Sequence, residues 1–599
     1  VSNFRHVVVC DFEYEVVDGG LPNVLCMVAY VLDEHLRHVH TVRRWLGEFG
    51  PKPPFDIGPD TLFVAYSAWA EMTCFLTLGW EFPVHIFDQH TAYLAATNIL
   101  RPYNPDEVYK RQRKRLSDAC HTYLIDGWER TDKEAISKAI GEGRWRDYGQ
   151  PAVYEYCEED VRASTALFQK QLQGFDRYPP ASVMHQLHWA NYSAKAIAQI
   201  QARGMQIDMQ LWNLVQDNKA KVISYLLRNF DPSFGTANPI YTPDGHWSDV
   251  RVEQWLVSVG ITAWPRLESG KIQIDSDAFK LMYHVPGIEM LHALRDTLGI
   301  IAHAKLPIGP DGRNRPSLFP FCTATGRNAH RRSLFNAHAG TRGFITFPPD
   351  KIGVYLDWRT QEIGIAAALS QDPALMAAYS GGDVYYALAV MCGLTDDPDV
   401  KHWKANNKAM RNRMKALQLG INYGMGVPSL SRGLDRHPLI GSYIIELHKR
   451  TYSPYWKWRE ERADTAMQER VLETQYGWPL YLSHSPNRRT IYNFPMQGNG
   501  AEMLRLATTR MCDAGIIPSM LVHDAILLEA DSEEQIAHAK QIMEQAGADV
   551  CNGFKIGVDV ERMDIGGRFQ DKRPAAEKIW ATIMLALQEV GALPKGPLP

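Results

Sequence analysis

The chain has 599 residues, a net charge of −4, 45% hydrophobic residues and 22% charged residues. That length exceeds one ordinary domain, so roughly two to four are expected, and the composition excludes a disordered or fibrous chain. No apolar run approaches the ~18 residues of a membrane span, and nine cysteines without a C-x-x-C pair argue for a reducing, cytoplasmic setting without structural zinc. The negative total does not exclude nucleic acid. Metal-binding carboxylates weigh on the sum, while a polynucleotide feels local basic stretches such as Lys110 to Arg115 and Arg327 to Arg332.

The first ~175 residues alternate β-rich runs (Val7 to Cys10, Val24 to Leu32, Leu62 to Ala65) with helical stretches, an α/β pattern. In CDFEYE, Asp11 and Glu13 stand two apart on the first strand, so both carboxylates face one side and can share a metal pair. Far downstream, YCEEDV places Tyr156 and Asp160 four apart on a helix, again on one face. Histidines 35, 38 and 40 alternate between faces and read as a solvated strand end. The tandem prolines of GFDRYPPAS, Gly174 to Ser182, mark a boundary. An amphipathic helix is expected from Val183 to Arg203, closed by Gly204. Helices and loops fill 205 to 320.

In the last third, the apolar run Ile352 to Leu356 leads into Asp357, and Met520 to Val522 leads through His523 to Asp524 before Ile526 to Leu528 resumes. Each reads as a buried strand carrying an acid at its tip. Two acids from distant strands can share the divalent pair that runs in-line displacement at phosphorus. Between them, in RNRMKALQLGINYG, Arg411, Lys415, Leu419 and Tyr423 recur every four residues along one helix face ~18 Å long. Two cations near the helix N-terminal end suit phosphate oxygens, and an apolar and an aromatic residue further along suit a base or sugar. Glycines 420, 424 and 426 interrupt the helix where something approaches closely. That combination points to nucleotidyl transfer. A final helix runs from Ala575 to Val590.

These segments resemble, in order, those of the family A (DNA polymerase I-type) DNA polymerases. TATGR (Thr323 to Arg327) resembles the entry to that family's palm, and DWRTQE its first metal motif. RNRMKALQLGINYG resembles the fingers helix R-x3-K-x7-Y-G, NFPMQGNGAEM the N-x-P-x-Q-G segment, and VHDA the second metal motif, V-H-D-E. ARGMQID (Ala202 to Asp208) and SGKIQIDSDAF resemble thumb segments. D-x-E with a distant Y-x3-D resembles the proofreading 3′–5′ exonucleases.

The resemblance implies an α/β plus α+β multidomain chain, with an RNase H-like exonuclease domain (1–175) followed by a right-hand polymerase. The polymerase would comprise the thumb and connecting segments (176–320), palm with the first metal motif (321–382), fingers (383–480), and palm with the second metal motif and C-terminal helix (481–599). It implies two Mg²⁺ ions per site, with Mn²⁺ able to substitute. Asp357, Asp524 and the Trp358 backbone carbonyl would hold the polymerase pair, and Asp11, Glu13, Glu71 and Asp160 the exonuclease pair, with Tyr156 orienting the attacking water. Arg411 and Lys415 would grip the triphosphate, Lys415 as general acid. Tyr423 would lie against the templating pair, Glu362 would exclude a ribose 2′-hydroxyl, and Arg327, Asn493, Gln497 and His523 would line the primer-end minor groove.

Five positions depart from the family pattern. Ala525 stands for a common glutamate, so a third carboxylate is expected to be absent. Leu419 stands for an aromatic residue, Tyr385 for a phosphate-contacting histidine, and Ser67 with Glu71 for N-x3-D in the middle exonuclease motif. Asp88 is expected to be structural. The partners implied are primer-template DNA and dNTPs, bound by a monomer without a membrane, a 5′-nuclease domain or a processivity-factor insertion, in the compact form of bacteriophage enzymes. A single-subunit RNA polymerase, or a DNA-binding protein with decayed sites, is the alternative.

Overall fold

The computed structural model describes residues 4–100, 115–126, 133–174, 182–261, 264–267, 269–283, 285–303, 305–434, 437–483 and 486–596; most of the basic stretch Lys110 to Arg115 and most of the proline boundary lie outside them. The N-terminal part is built on β1 (His6–Glu15), β2 (Asn23–Asp33), β3 (His38–Trp45), β4 (Thr61–Ala65) and β5 (His85–Asp88), in the order β3-β2-β1-β4-β5. β1 runs antiparallel to β2 but parallel to β4, which is parallel to β5. The parallel step from β4 to β5 needs a crossover, supplied by helix α1 (Trp69–Leu78), which Gly79 closes at φ 68°. β1 is buried on both faces. Val8, Cys10 and Phe12 pack with Phe63, Met72 and Phe75 on one side, while Val7 and Val9 pack with Phe87, Tyr156, Cys157 and Phe168 on the other. Period-two alternation therefore turns Asp11 and Glu13 toward the helix Gln150–Gln171.

The expected helix over 183–203 forms, but with a π-helical turn at Asn191–Ala196 between Val183–Ala190 and Ile197–Arg203; Gly204 ends it at φ 62°. Helices Lys219–Phe230 and Ile288–Leu298 then pack against the C-terminal helix Pro574–Glu589. That helix matches the expected element at 575–590 within a residue.

The second sheet has four antiparallel strands in the order Met520–Val522, Ala525–Ala530, Ile352–Trp358, Val558–Ile565. In the strand Ile352–Trp358, Val354, Leu356 and Trp358 are buried while Tyr355 and Asp357 are half-buried. Asp357 thus stands on the open face of a half-covered strand, rather than at the tip of a fully buried one. Among the described residues between Asp383 and Glu469 the regular elements are helices only.

The two parts are joined by a short parallel ladder. β6 (Ile99–Leu100) pairs with the strand Pro479–Leu482, and Asn98 Nδ2 donates to the carbonyls of Ala324 at 2.7 Å and Pro479 at 2.6 Å. No described helix is long and apolar enough to cross a membrane.

Candidate active sites

In the C-terminal sheet, register decides which acids meet. Asp357 lies opposite Ala525 on one neighbouring strand and opposite Asp559 on the other. The apolar strands around Asp524 form a hairpin in which Val522 pairs with Ala525, so His523 and Asp524 make the turn, with His523 at φ 57°. Burial, then the fields of Asp524 and Asp559, push the Asp357 carboxyl up to about 7, against the opposing field of Lys415. Its Oδ1 is buried without a hydrogen-bond partner. An unsatisfied carboxylate oxygen among like charges is costly unless a cation joins it, so these residues fit a divalent ion held by Asp357 and Asp524. The Trp358 indole is directed elsewhere, donating to the Met543 carbonyl at 3.2 Å.

Asp559 corrects the expectation that no third carboxylate is present. Its side chain is 62% exposed and is held by Arg359 at 2.6 Å. Sequence reading missed it because nothing local couples it to Asp357; the alternation of VDVERMDI was the available signal.

The stripe lies on the helix Lys408–Asn422, with Tyr423 as its C-terminal cap. Lys415 is exposed and Leu419 half-buried. Arg411 is partly committed: its Nε donates to Asp383 Oδ2 at 2.6 Å, and its guanidinium lies 5.0 Å from the centroid of the buried Tyr385 ring. Asp383 in turn caps the helix Val384–Met391. Asp357, Asp383, Tyr385, Arg411, Lys415 and Asp559 line one cleft. The close approaches at two of the glycines come from the chain itself: a Cβ at Gly420 would meet Met425 Cε at 2.8 Å, and one at Gly424 would meet Tyr492 at 3.2 Å.

Beside the cleft, Glu362 is held from two sides. The Tyr423 hydroxyl donates to Oε2 and Arg327 Nη2 donates to Oε1 at 3.0 Å, while Gln497 interacts with Tyr423. Asn493, one helical turn before Gln497 on Arg488–Asp513, has a buried Oδ1 without a partner. His523 acts electrostatically on His330. Four of the expected base-pair and sugar contacts, Glu362, Tyr423, Arg327 and Gln497, thus form one network.

The N-terminal site gathers residues from three elements. β1 brings Asp11 and Glu13, α1 brings Glu71, and the helix Gln150–Gln171 brings Tyr156 and Asp160. Burial and then the Asp160 charge push Asp11 up; burial and the Asp11 charge push up both Glu13 and Glu71. Glu71 is 4% exposed and its Oε2 has no partner, so this cluster too fits a cation.

Two neighbours escaped the sequence reading. The Cys157 thiol donates to Asp11 Oδ2 at 3.6 Å, and Asp11, Glu13 and Cys157 present ligand atoms within 4.8 Å of one another. Lys133 Nζ pairs with Asp160 Oδ1. Asp88, by contrast, is committed to structure, accepting from Ala68 N at 3.3 Å, Thr91 Oγ1 at 2.6 Å and Ser193 Oγ at 2.7 Å. His38 bonds Thr41 at 2.9 Å and His35 faces Glu34; among the described residues these histidines form no metal-holding group.

Residues 320–570 match the family model for DNA polymerase family A. The chain is similar to the thermostable DNA polymerase I of Thermus thermophilus, 28% identical over 32% of this chain and 24% of that one. It is also similar to the DNA polymerase I of Aquifex aeolicus, 25% identical over 47% of this chain and 50% of the relative, and to that of Deinococcus radiodurans, 29% identical over 31% and 21%. The alignments thus span half or less of those curated relatives. In fold, the chain is similar to the POL domain of Pol1 from M. smegmatis in complex with DNA primer-template and dNTP, with a TM-score of 0.64 at 17% identity over 94% of this chain and 95% of that one. The match over 320–570 to the model of DNA polymerase family A takes in Asp357, Asp524, the stripe and the Glu362 network.

Proposed function

We propose that the chain is a template-directed DNA polymerase adding dNTPs to a primer 3′-hydroxyl by a two-metal mechanism, with a 3′–5′ proofreading exonuclease in its N-terminal part. The observation that carries the polymerase reading is the unsatisfied Asp357 carboxylate facing Asp524, with Lys415 across the same cleft. Asp357, Asp524 and the Trp358 carbonyl would hold Mg²⁺, which when bound supplies positive charge to the attacking and leaving oxygens. Lys415, on its flexible stem, reaches the triphosphate and gives a proton to the departing pyrophosphate as the new phosphodiester forms. Arg411 stiffens that wall of the cleft through Asp383, and its remaining guanidinium N–H groups are available to a phosphate oxygen. Primer extension with Mg²⁺ and dNTPs tests the reading; no extension on a matched primer-template would overturn it.

Lys415→Ala is expected to lower kcat/KM for dNTP by about one to two decades, the loss of one charge-assisted contact of roughly 1.5–3 kcal/mol. DNA affinity should change little. Loss of DNA affinity with unchanged nucleotide use would move Lys415 to duplex binding.

The sugar reading rests on Glu362, whose carboxylate is fixed between Tyr423 and Arg327 and so cannot swing away from a 2′-hydroxyl. Glu362→Ala should admit ribonucleotides, raising rNTP incorporation relative to dNTP by at least about tenfold. Equal discrimination in variant and parent would sink the gate. A single-subunit RNA polymerase is disfavoured by this fixed acid; primer-free synthesis from rNTPs would favour it.

The exonuclease reading is supported by the sheet order β3-β2-β1-β4-β5, as in RNase H-like folds, and by the unpartnered Glu71 oxygen beside Asp11. Tyr156, next to Asp160, would orient the attacking water. A role in copying a bacteriophage genome is proposed from the resemblance to compact phage enzymes alone.

A further inference from the structure

The four acids of the N-terminal cluster are not equivalent. Glu71 Oε2 is buried with nothing bound to it, whereas Asp160 is satisfied by a cation of the protein itself. Lys133, on the helix Lys133–Gly141, donates from Nζ to Asp160 Oδ1, with side-chain exposures of only 18% and 13%. The same Nζ lies 5.5 Å from the centroid of the Tyr156 ring, so the pair stands inside the cluster, beside the residue that would orient the water. Asp160 also acts electrostatically on Asp11 and Glu13; its charge belongs to the cluster rather than to the surface.

We propose that Lys133 is a built-in competitor for the divalent cation at Asp160, holding that carboxylate while the site is empty and giving it up when the site loads. This rests on the exonuclease reading above and adds a control to it. The chemistry favours an exchange. A lysine ammonium is a compact point charge on a four-carbon stem, so it leaves one carboxylate oxygen without moving the backbone. A divalent ion brings twice the charge to a group shared with Asp11 and Glu13. Breaking the pair must precede or accompany loading, so the apparent metal affinity is lowered by the stability of the pair. Activity of this site would then follow metal concentration over a higher range than the four carboxylates alone would set.

The test uses the full chain with its polymerase acids silenced as Asp357→Asn and Asp524→Asn, titrated calorimetrically with Mn²⁺ alone. In that background, Lys133→Gln is expected to bind Mn²⁺ about ten- to a hundredfold more tightly, since the ion-pair attraction is partly offset by desolvation. Lys133→Arg, which keeps the charge, should retain the weaker binding. The metal concentration that half-saturates digestion of a single-stranded primer should shift in the same direction. Lys133→Ala serves as a second neutral variant, should the glutamine destabilise the helix. Equal or weaker Mn²⁺ binding in both neutral variants would overturn the inference alone. Absence of Mn²⁺ uptake in every protein, including the Lys133 parent, would overturn the exonuclease metal site and the inference together. A Glu71→Gln control separates the cases: it should abolish or sharply weaken uptake whatever stands at position 133.

Discussion

Primer extension by Asp357→Asn or Asp524→Asn is expected to fall by at least about 10³-fold, while 3′–5′ digestion by the N-terminal site is unchanged. The magnitude follows from what is removed. Losing one neutral donor from a preorganised site already costs about two to three decades, and here a full charge is taken from the group that would hold two cations. Asn keeps the shape of Asp, so the strand Ile352–Trp358 and the His523–Asp524 turn should remain intact. Near-parental extension by either variant would end the two-metal assignment.

A second readout separates a site acid from a structural one. The Asp357 carboxyl is raised from its ordinary value to about 7, first by burial and then by Asp524 and Asp559. An acid whose folded pKa lies above its unfolded pKa destabilises the fold progressively as pH rises from about 4 to about 7, and fully above that window. Metal-free Asp357→Asn should therefore be more stable than the parent at pH 8, by up to about 2–4 kcal/mol, with the difference vanishing near pH 4. Thermal unfolding in a chelator measures it. A variant less stable than the parent at pH 8 would mean that Asp357 serves the fold.

The C-terminal candidate site was legible in the sequence wherever its signal is local. An apolar run broken by an acid located Asp357 and Asp524, and a period of four located Arg411, Lys415 and Tyr423 on one helix. What was not legible depends on register or on long-range docking. Asp559 reaches Asp357 only because two strands some 200 positions apart pair in one particular register. Arg411 finds Asp383 through the packing of two helices, which no spacing in RNRMKALQLGINYG announces. The ladder between β6 and Pro479–Leu482 joins two parts that composition separates cleanly. In the N-terminal cluster, Asp11, Glu13, Tyr156 and Asp160 follow from strand and helix periods. Lys133 arrives from a helix with no motif of its own, and Cys157 reads from sequence as an ordinary buried cysteine.

Digestion of a mismatched primer terminus should slow by several decades in Glu71→Ala, and this is the sharpest test of the N-terminal site. α1 begins just beyond β4 and carries Glu71 in its first turn, so the side chain approaches Asp11 from the side opposite the helix Gln150–Gln171. Burial and the Asp11 charge hold its carboxyl well above the usual carboxylate range. No polar partner relieves Oε2. A protein retains such a group at 4% exposure when something outside the chain completes it.

Glu71→Gln should therefore raise metal-free stability above neutral pH while removing digestion, a combination that a purely structural glutamate would not give. Glu71→Asp is expected to lose activity as well, by at least about tenfold, because shortening the arm by one methylene draws the carboxylate back toward α1 and away from Asp11. A rise in activity on that change would mean that the pocket is still shaped for aspartate. If Glu71→Ala digests the primer as fast as the parent, Glu71 is no ligand. Asp88 could not replace it, since its oxygens are committed to Ala68, Thr91 and Ser193. The N-terminal cluster would then hold Asp11, Glu13 and Asp160 alone, one carboxylate short of the clamp that the exonuclease reading requires.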